Sequence, residues 1–369
     1  MEESVFQECM AKEREKITDI IKDVLFEKIR TEEDSILRNF YQTALSNFLI
    51  KGRRRLPIAF INTYYGLTPE SIIVENYEEV YKISISIEFL YAASIIHDDI
   101  VDNEELRGGM PTFHRYYEKL LTEETKKNNL NIKKEDLSRS GASLAMFGGN
   151  ILMGIGLSVL NSSDFPESII SNAINSYIKA YHAVNRSQIL EEYLKLKPLE
   201  SVSLEEYLLH AQNNRGALYE HAVGIASVFA NSRASQTAKL REVFNKVGVC
   251  SQIVNDIQGS FGNKEEKSIS KDIVSGKHSI LSIIAYQNGN DDQRAILKSI
   301  LGKSDATSDE IEKVRELYVE TGAIDFAKMY AANMANLAQR GLTEVFPGLK
   351  RDAYEFFLSY IEMVSKIDL

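Results

Sequence analysis

The run His97-Asp98-Asp99-Ile100-Val101-Asp102 closes an apolar stretch and continues as Asn103-Glu104-Glu105-Leu106-Arg107-Gly108-Gly109-Met110-Pro111-Thr112. On a helix, Asp98 and Asp102 stand at i and i+4, so both carboxylates lie on one face with Cβ atoms about 5–6 Å apart. Like charges so close repel unless a cation lies between them. Acids at a helix C-terminus also oppose the helix macrodipole, so a cluster placed there calls for a reason. Oxygen ligands in this arrangement suit Mg²⁺, which keeps several waters and bridges protein carboxylates to substrate phosphates. The bland alternative is a solvated acidic helix end. His97 fits a neighbour-orienting role better than a ligand's, because Mg²⁺ prefers oxygen.

A second acidic site comes later: Gln252-Ile253-Val254-Asn255-Asp256-Ile257-Gln258-Gly259-Ser260-Phe261-Gly262, then Lys267, Lys271-Asp272-Ile273 and Gly276-Lys277. An Asn-Asp pair alone reads as a cap or turn. With three lysines close behind, it reads as a site for metal-bound phosphate, to which lysine supplies compact positive charge. Arg107 offers a bidentate fork to the same kind of group. The remaining histidines are scattered and make no metal-spaced set. Gly154-Ile155-Gly156 lacks the strand–turn–helix setting of a dinucleotide site and reads as helix packing.

The elements that position these residues are helices. Among 369 residues there are only 6 Pro and 20 Gly, so breakers are few and long helices are favoured. Apolar residues recur at spacings of three and four in the windows 81–102, 169–193, 204–230, 238–259 and 310–342, and no stretch alternates long enough for a sheet. Breaks fall at 66–69, 108–111, 161–166, 197–198, 259–262 and 341–348. The stretch 118–139 is polar and charged and reads as a surface excursion between core helices. With no internal repeat and no linker, residues 1–369 read as one all-α domain of ten or more helices. The 43 Lys+Arg against 53 Asp+Glu give a net charge of −10, which argues against general nucleic-acid binding. With 2 Cys, there is no thiolate metal site or disulfide framework. The apolar run 142–160 is interrupted by Gly, Asn and Ser, and no leader is visible, so a cytoplasmic protein with no transmembrane segment is expected.

Taken in order, these residues resemble the trans-isoprenyl diphosphate synthases, the polyprenyl synthetase family, and among them archaeal and bacterial geranylgeranyl diphosphate synthases. Asp98-Asp99-Ile-Val-Asp102 is similar to the family's first aspartate-rich motif, and Arg107 to Thr112 to the basic motif after it. Asn255-Asp256-Ile-Gln-Gly-Ser-Phe-Gly262 resembles the second aspartate-rich motif, and Lys267, Asp272, Gly276 and Lys277 the lysine region. Gly52-Arg53-Arg54 with Pro57 resembles the N-terminal Gly-Lys-Arg motif, and Gln188 with Glu191 a Gln-x-x-Asp motif. The resemblance implies an isoprenoid-synthase-like bundle around a central apolar cavity, and a homodimer. It implies that an allylic diphosphate binds through three Mg²⁺, two held by Asp98 and Asp102 and the third by Asp256. Asp99, Arg107, Lys267 and Lys277 join the catalytic set, and the three cations neutralise the leaving diphosphate. Gly52, Arg53, Arg54, Tyr91, Gln188, Arg215, Gln252 and Lys271 are implied substrate contacts. An alkene, that of isopentenyl diphosphate, then attacks the allylic cation, and apolar helices exclude the water that would quench it.

Departures from the family pattern gather on the isopentenyl diphosphate side. Its four usual side chains, Lys, Arg, His and Arg, correspond here to Arg53, Leu56, Tyr91 and Gly108, so two charges and an imidazole are lost. Arg55 replaces Leu56 if the turn shifts by one residue. The Lys of a Lys-Thr-Gly motif is Asn214, with Arg215 beside it, and the first Asp of the second motif is Asn255. The reading is therefore a Mg²⁺-dependent elongating prenyltransferase. Its alternatives are a same-fold enzyme that cyclises the allylic cation or passes it to another acceptor, and a regulatory subunit of a heteromeric synthase. The growing chain is expected to pass Ser94 and Ala93, one turn before the aspartates and both small, with Leu90 and Phe147 as candidate floors. That favours a product of C20 or longer.

Overall fold

The apolar periods do become helices: the chain is all-α, and its strands are two residues each. The computed structural model describes residues 1–44, 49–261 and 271–367. The chain forms two units, Met1–Tyr177 with Ile225–Asn231, and Ile178–Gly224 with Ser232–Leu369.

The first unit holds α1 (Glu3–Thr31), α2 (Ser35–Thr43), α3 (Arg55–Leu67), α4 (Glu70–Val101), strands β1 (Leu106–Arg107) and β2 (Met110–Pro111), α5 (Phe113–Lys127), α6 (Lys134–Asn161) and the start of α7 (Glu167–Lys195). It is organised round α4. Every residue from Ile83 to Leu90 is buried, so this stretch has no solvent face and the expected period of three and four fades there. Two serines lie inside it without becoming orphans. Ser84 Oγ donates to Tyr81 O and Ser86 Oγ to Ile83 O, each at 2.7 Å.

One buried charge, Glu88, is answered by Arg54. The Arg54 Nη1–Glu88 Oε1 distance is 2.7 Å, with the two side chains 0% and 6% exposed. Arg54 Nε also donates to Thr18 Oγ1 at 3.1 Å, which ties α1, α3 and α4 to one guanidinium. The backbone makes this possible. Arg54 precedes α3 with φ +54°, and its side chain is buried while Arg53 stays exposed and Arg55 half-exposed. Gly52 passes over the pair. A Cβ there would strike the Arg54 guanidinium and come within 2.8 Å of Glu88 Oε1. Gly52 and Arg54 are expected among the substrate contacts; Arg54 is buried against Glu88, because a charge buried on α4 requires its counter-charge inside, and Gly52 stays half-exposed beside the pair.

Helix α6 packs on α4 and α5. Among the described residues it is the one helix long and apolar enough to cross a bilayer by length and composition, and its packing on two neighbours fits a core helix equally well. The polar stretch 118–139 is mostly helical: the end of α5, a turn over 128–133 and the start of α6.

The second unit contains the end of α7, α8 (Leu204–Ala211), a π-helical turn (Gln212–Gly216), the start of α9 (Ala217–Phe229), α10 (Ala234–Phe261), α11 (Lys271–Val274), α12 (Ile280–Asn288), α13 (Asp291–Ile300), α14 (Ser308–Glu320), α15 (Ala323–Val345) and α16 (Arg351–Ser365). Its centre is α10, against which α15 lays a ladder of Ala327, Ala331, Ala335 and Ala338. Small side chains at that spacing let the two helices approach closely. Three helices start with reciprocal capping boxes, Ser203/Glu206, Asn290/Gln293 and Thr307/Glu310.

Removing one partner of a buried ion pair leaves the other charge uncompensated and costs about 3–5 kcal/mol. Glu88→Ala is therefore expected to lower unfolding stability by about that amount in urea titration. A loss under about 1 kcal/mol, the range of an exposed pair, would show that the pair does not hold the first unit together.

Candidate active site

At the end of α4 three aspartates separate. Tyr91, Ser94, Ile95, Asp98 and Asp102 make one half-exposed stripe, spaced three and four apart, while Leu90, Ala93, Ile96 and Asp99 are buried. The Asp98 side chain is 34% exposed. Asp102 ends the helix, its N–H donating to Asp98 O at 2.9 Å. The i, i+4 face read from sequence is thus open at both carboxylates.

Asp99 is turned inward onto Arg107. The Arg107 Nε lies 2.9 Å from both carboxylate oxygens, and Nη2 also bonds Oδ1. Asp98 Oδ2 is a more distant 3.9 Å from Nη2. A hairpin delivers the guanidinium: Arg107 pairs with Met110 across β1 and β2, and Gly108 and Gly109 form the turn with φ +57° and +76°. Two positive φ angles in a two-residue turn are the glycine requirement of a tight hairpin. Gly108 takes this positive φ without strain. Thr112 Oγ1 ties the hairpin back by donating to Glu104 O at 2.6 Å, and it accepts from His114 Nδ1 at 3.2 Å. Burial, then the charge of Arg115, pushes the His114 pKa down to about 4, so the ring is neutral at neutral pH.

His97 orients rather than ligates. Its Nε2 donates to Met146 O at 3.1 Å, and Gly149 leaves room for the ring, since a Cβ there would strike it. Burial lowers its pKa, countered in part by that hydrogen bond. Leu56 is buried, and Tyr91 keeps to the half-exposed stripe. Of the chain-length candidates, Ser94 shares the face of Asp98, Ala93 and Leu90 are interior, and Phe147 is 60% exposed on α6. Phe147 therefore does not form a floor inside the first unit, because its ring points out of it.

The later acidic motif lies in the second unit. Asp256 is 0% exposed. Its Oδ2 accepts from Tyr207 Oη at 2.7 Å, and its Oδ1 from Gln252 Nε2 at 3.0 Å with Lys277 Nζ at 3.2 Å. The third Mg²⁺ is expected at Asp256, whose carboxylate here meets these three protein groups. Gln252, an expected substrate contact, also points at Asp256. Lys277 reaches Glu191 Oε1 as well, at 3.3 Å. Gln188 lies one turn before Glu191 on α7. Lys267 and the side chain of Lys271 lie outside the described residues.

Arg215 sits in the π-helical turn. Asn245 Nδ2 donates to Gln212 O at 3.2 Å and to Glu220 Oε2 at 3.0 Å, and Gly248 of α10 lies where a Cβ would strike the Arg215 carbonyl. Sequence reasoning missed Glu88, Tyr207, His210 and this turn. Tyr207 follows the Ser203/Glu206 capping box on an apolar helix, a pattern that signals only core.

Hard oxygen donors on one open face fit Mg²⁺ at Asp98 and Asp102. Among the described residues no three carboxylate, imidazole or thiolate side chains form a cage. That suits a metal completed by water and substrate oxygens.

Comparison with known proteins gives one consistent result. The family model described as Polyprenyl synthetase matches residues 38–318. The geranylgeranyl diphosphate synthase of Saccharolobus solfataricus is 23% identical over 331 residues, 89% of this chain and 90% of that protein. A geranylfarnesyl diphosphate synthase of Aeropyrum pernix is 25% identical over 287 residues, 76% of this chain and 81% of its own. In fold, the chain is similar to a geranylgeranyl pyrophosphate synthase from Corynebacterium glutamicum complexed with isoprenyl diphosphate and magnesium. The TM-score is 0.87 at 20% identity, covering 97% of this chain and 99% of that one.

Proposed function

The chain belongs to the polyprenyl synthetase family and is a prenyltransferase, and from that premise we propose that it condenses an allylic diphosphate with isopentenyl diphosphate, with Mg²⁺, to give a prenyl diphosphate of C20 or longer. The observation that carries this reading is the division of the first motif. Asp98 and Asp102 stay open on one helix face while Asp99 and Arg107 neutralise each other behind them.

Bound at Asp98 and Asp102, Mg²⁺ would supply the positive charge that stabilises a departing diphosphate. The chain's own residues do the rest. Arg107 locks Asp99 and the hairpin, so the two open carboxylates keep a fixed spacing. Lys277 offers an ammonium of the kind that meets a diphosphate, the charge that develops as an allylic bond breaks. The family match runs through segments of both units, and we take residues 1–369 as one prenyl-synthase domain.

A second reading is favoured by the buried Leu56 and the glycine turn at Gly108, which leave the isopentenyl diphosphate side short of charge. It keeps the ionisation and changes the acceptor, or cyclises the cation. Product analysis with labelled isopentenyl diphosphate and three allylic primers separates the readings. Incorporation that EDTA abolishes, and that Asp98→Ala lowers by several orders of magnitude, is expected. Diphosphate release without incorporation would favour the second reading, and silence with all primers a regulatory subunit.

Product length should depend on Ser94 and not in the same way on Ala93. Ser94→Phe puts a ring on the face of Asp98 and is expected to shorten the product by at least one isoprene unit. Ala93→Phe overpacks the interior, at about 1–3 kcal/mol of stability by denaturation. A wild-type product of C15, or an unchanged product from Ser94→Phe, would place the chain's path elsewhere.

The chain is also read as a homodimer. Ile189 and Tyr193 are exposed on one face of α7, at i and i+4, and Leu196 is exposed in the turn just past its end, an apolar patch of the kind that a partner covers. Light scattering is expected to give twice the chain mass, and Leu196→Glu to lower it. A stable wild-type monomer at micromolar concentration would refute the dimer.

A further inference from the structure

Four elements of the second unit converge on Lys277. From α10, Asp256 approaches its Nζ at 3.2 Å, and from α7, Glu191 at 3.3 Å. The first of these carboxylates is itself held. Asp256 accepts from Tyr207 of α8 at 2.7 Å and from Gln252, one turn earlier on α10, at 3.0 Å. The second oxygen of Glu191 faces His210 Nε2 at 3.7 Å, and His210 Nδ1 meets Ser187 Oγ at 2.9 Å. The backbone of the lysine is fixed too, its N–H donating to Asp272 O at 3.0 Å.

A lysine ammonium rides on a flexible four-carbon stem, so by itself it defines no position. Two carboxylates from separate helices define one. For them to do so they must not swing, and a buried carboxylate with too few donors would swing toward any it could find. Tyr207 removes that freedom. Burial and the Asp256 charge raise its pKa well above the ordinary phenol value, so it remains a donor at every pH of interest.

We propose that Tyr207 is a positioning residue, which by holding Asp256 fixes the ammonium of Lys277 between Asp256 and Glu191. Asp256 and Glu191 then act as a bracket for the lysine. This rests on the reading above that Lys277 meets a diphosphate. Unlike the aspartates, Tyr207 lies outside every motif singled out in the sequence, and it acts only through its neighbours.

The experiment is a double-mutant cycle on the full-length protein with Tyr207→Phe and Lys277→Ala. Two readouts are needed: the KM for the allylic diphosphate against kcat, and the affinity for inorganic diphosphate with Mg²⁺ by calorimetry. Loss of a charge-assisted contact predicts that either single variant weakens diphosphate binding about 10-fold or more. Tyr207→Phe should then add nothing in the Lys277→Ala background, since residues acting through one contact are not additive. Additive effects would overturn the positioning role. A wild type that binds diphosphate with the coupling intact but transfers no prenyl group would refute the functional reading and leave the bracket standing.

Discussion

The ion pair of Asp99 with Arg107 divides the acidic end of α4 into two parts with opposite tasks. Without it, three carboxylates at the C-terminus of one helix would repel each other and the helix dipole together. With it, one negative charge is cancelled inside the protein and the other two remain on a half-exposed face that a cation from solution can reach. The hairpin exists to close this pair. Its glycines, its anchor through Thr112 and the neutral His114 beneath it all serve to bring one guanidinium back over one carboxylate.

The same logic recurs at Arg54 with Glu88 and at Lys277 with Asp256. In each, a charge on a central helix is buried with a counter-charge from a different element. Such pairs contribute little net stability compared with an apolar core, but each is costly to break. They specify which side chain faces in and which stays out. Among Arg53, Arg54 and Arg55 only the middle one is inside, and that choice is made by Glu88 together with the backbone at φ +54°.

Periodicity and breakers made the helices legible, and the expected breaks at 66–69, 108–111, 161–166 and 197–198 fall between elements, whereas Gly341 lies inside α15, which runs on to Val345. The i, i+4 spacing made Asp98 and Asp102 legible too. What spacing could not carry was tertiary. The middle of α4 is enclosed on every side, so its pattern gives no face to read. Arg54 looks like a ligand because its type fits one; that it is interior depends on Glu88, which lies far off in sequence, and the burial of Asp256 against Tyr207 is equally non-local. Phe147 looked like a floor because it is large and apolar, whereas its direction on α6 is a matter of helix rotation. The family resemblance supplied the motifs in order and was silent on which of their residues this chain keeps for structure.

The π-helical turn at Gln212–Gly216 has a consequence for how this region can vary. It inserts length into what would otherwise be one continuous rod, and an α-helix advances about 100° per residue. Deleting a single position there would let α8 run straight into α9 with the flanking faces kept in register, because the wide turn is what absorbs the added residue. The Arg215 carbonyl would swing away from α10, and the glycine at 248 would lose its reason, as would the Asn245 amide that holds the Gln212 carbonyl. The extra residue, the glycine and the asparagine thus form a covarying set on two helices. A homologue with an uninterrupted rod is expected to carry a side chain at the counterpart of 248, and one that keeps the bulge to keep the glycine.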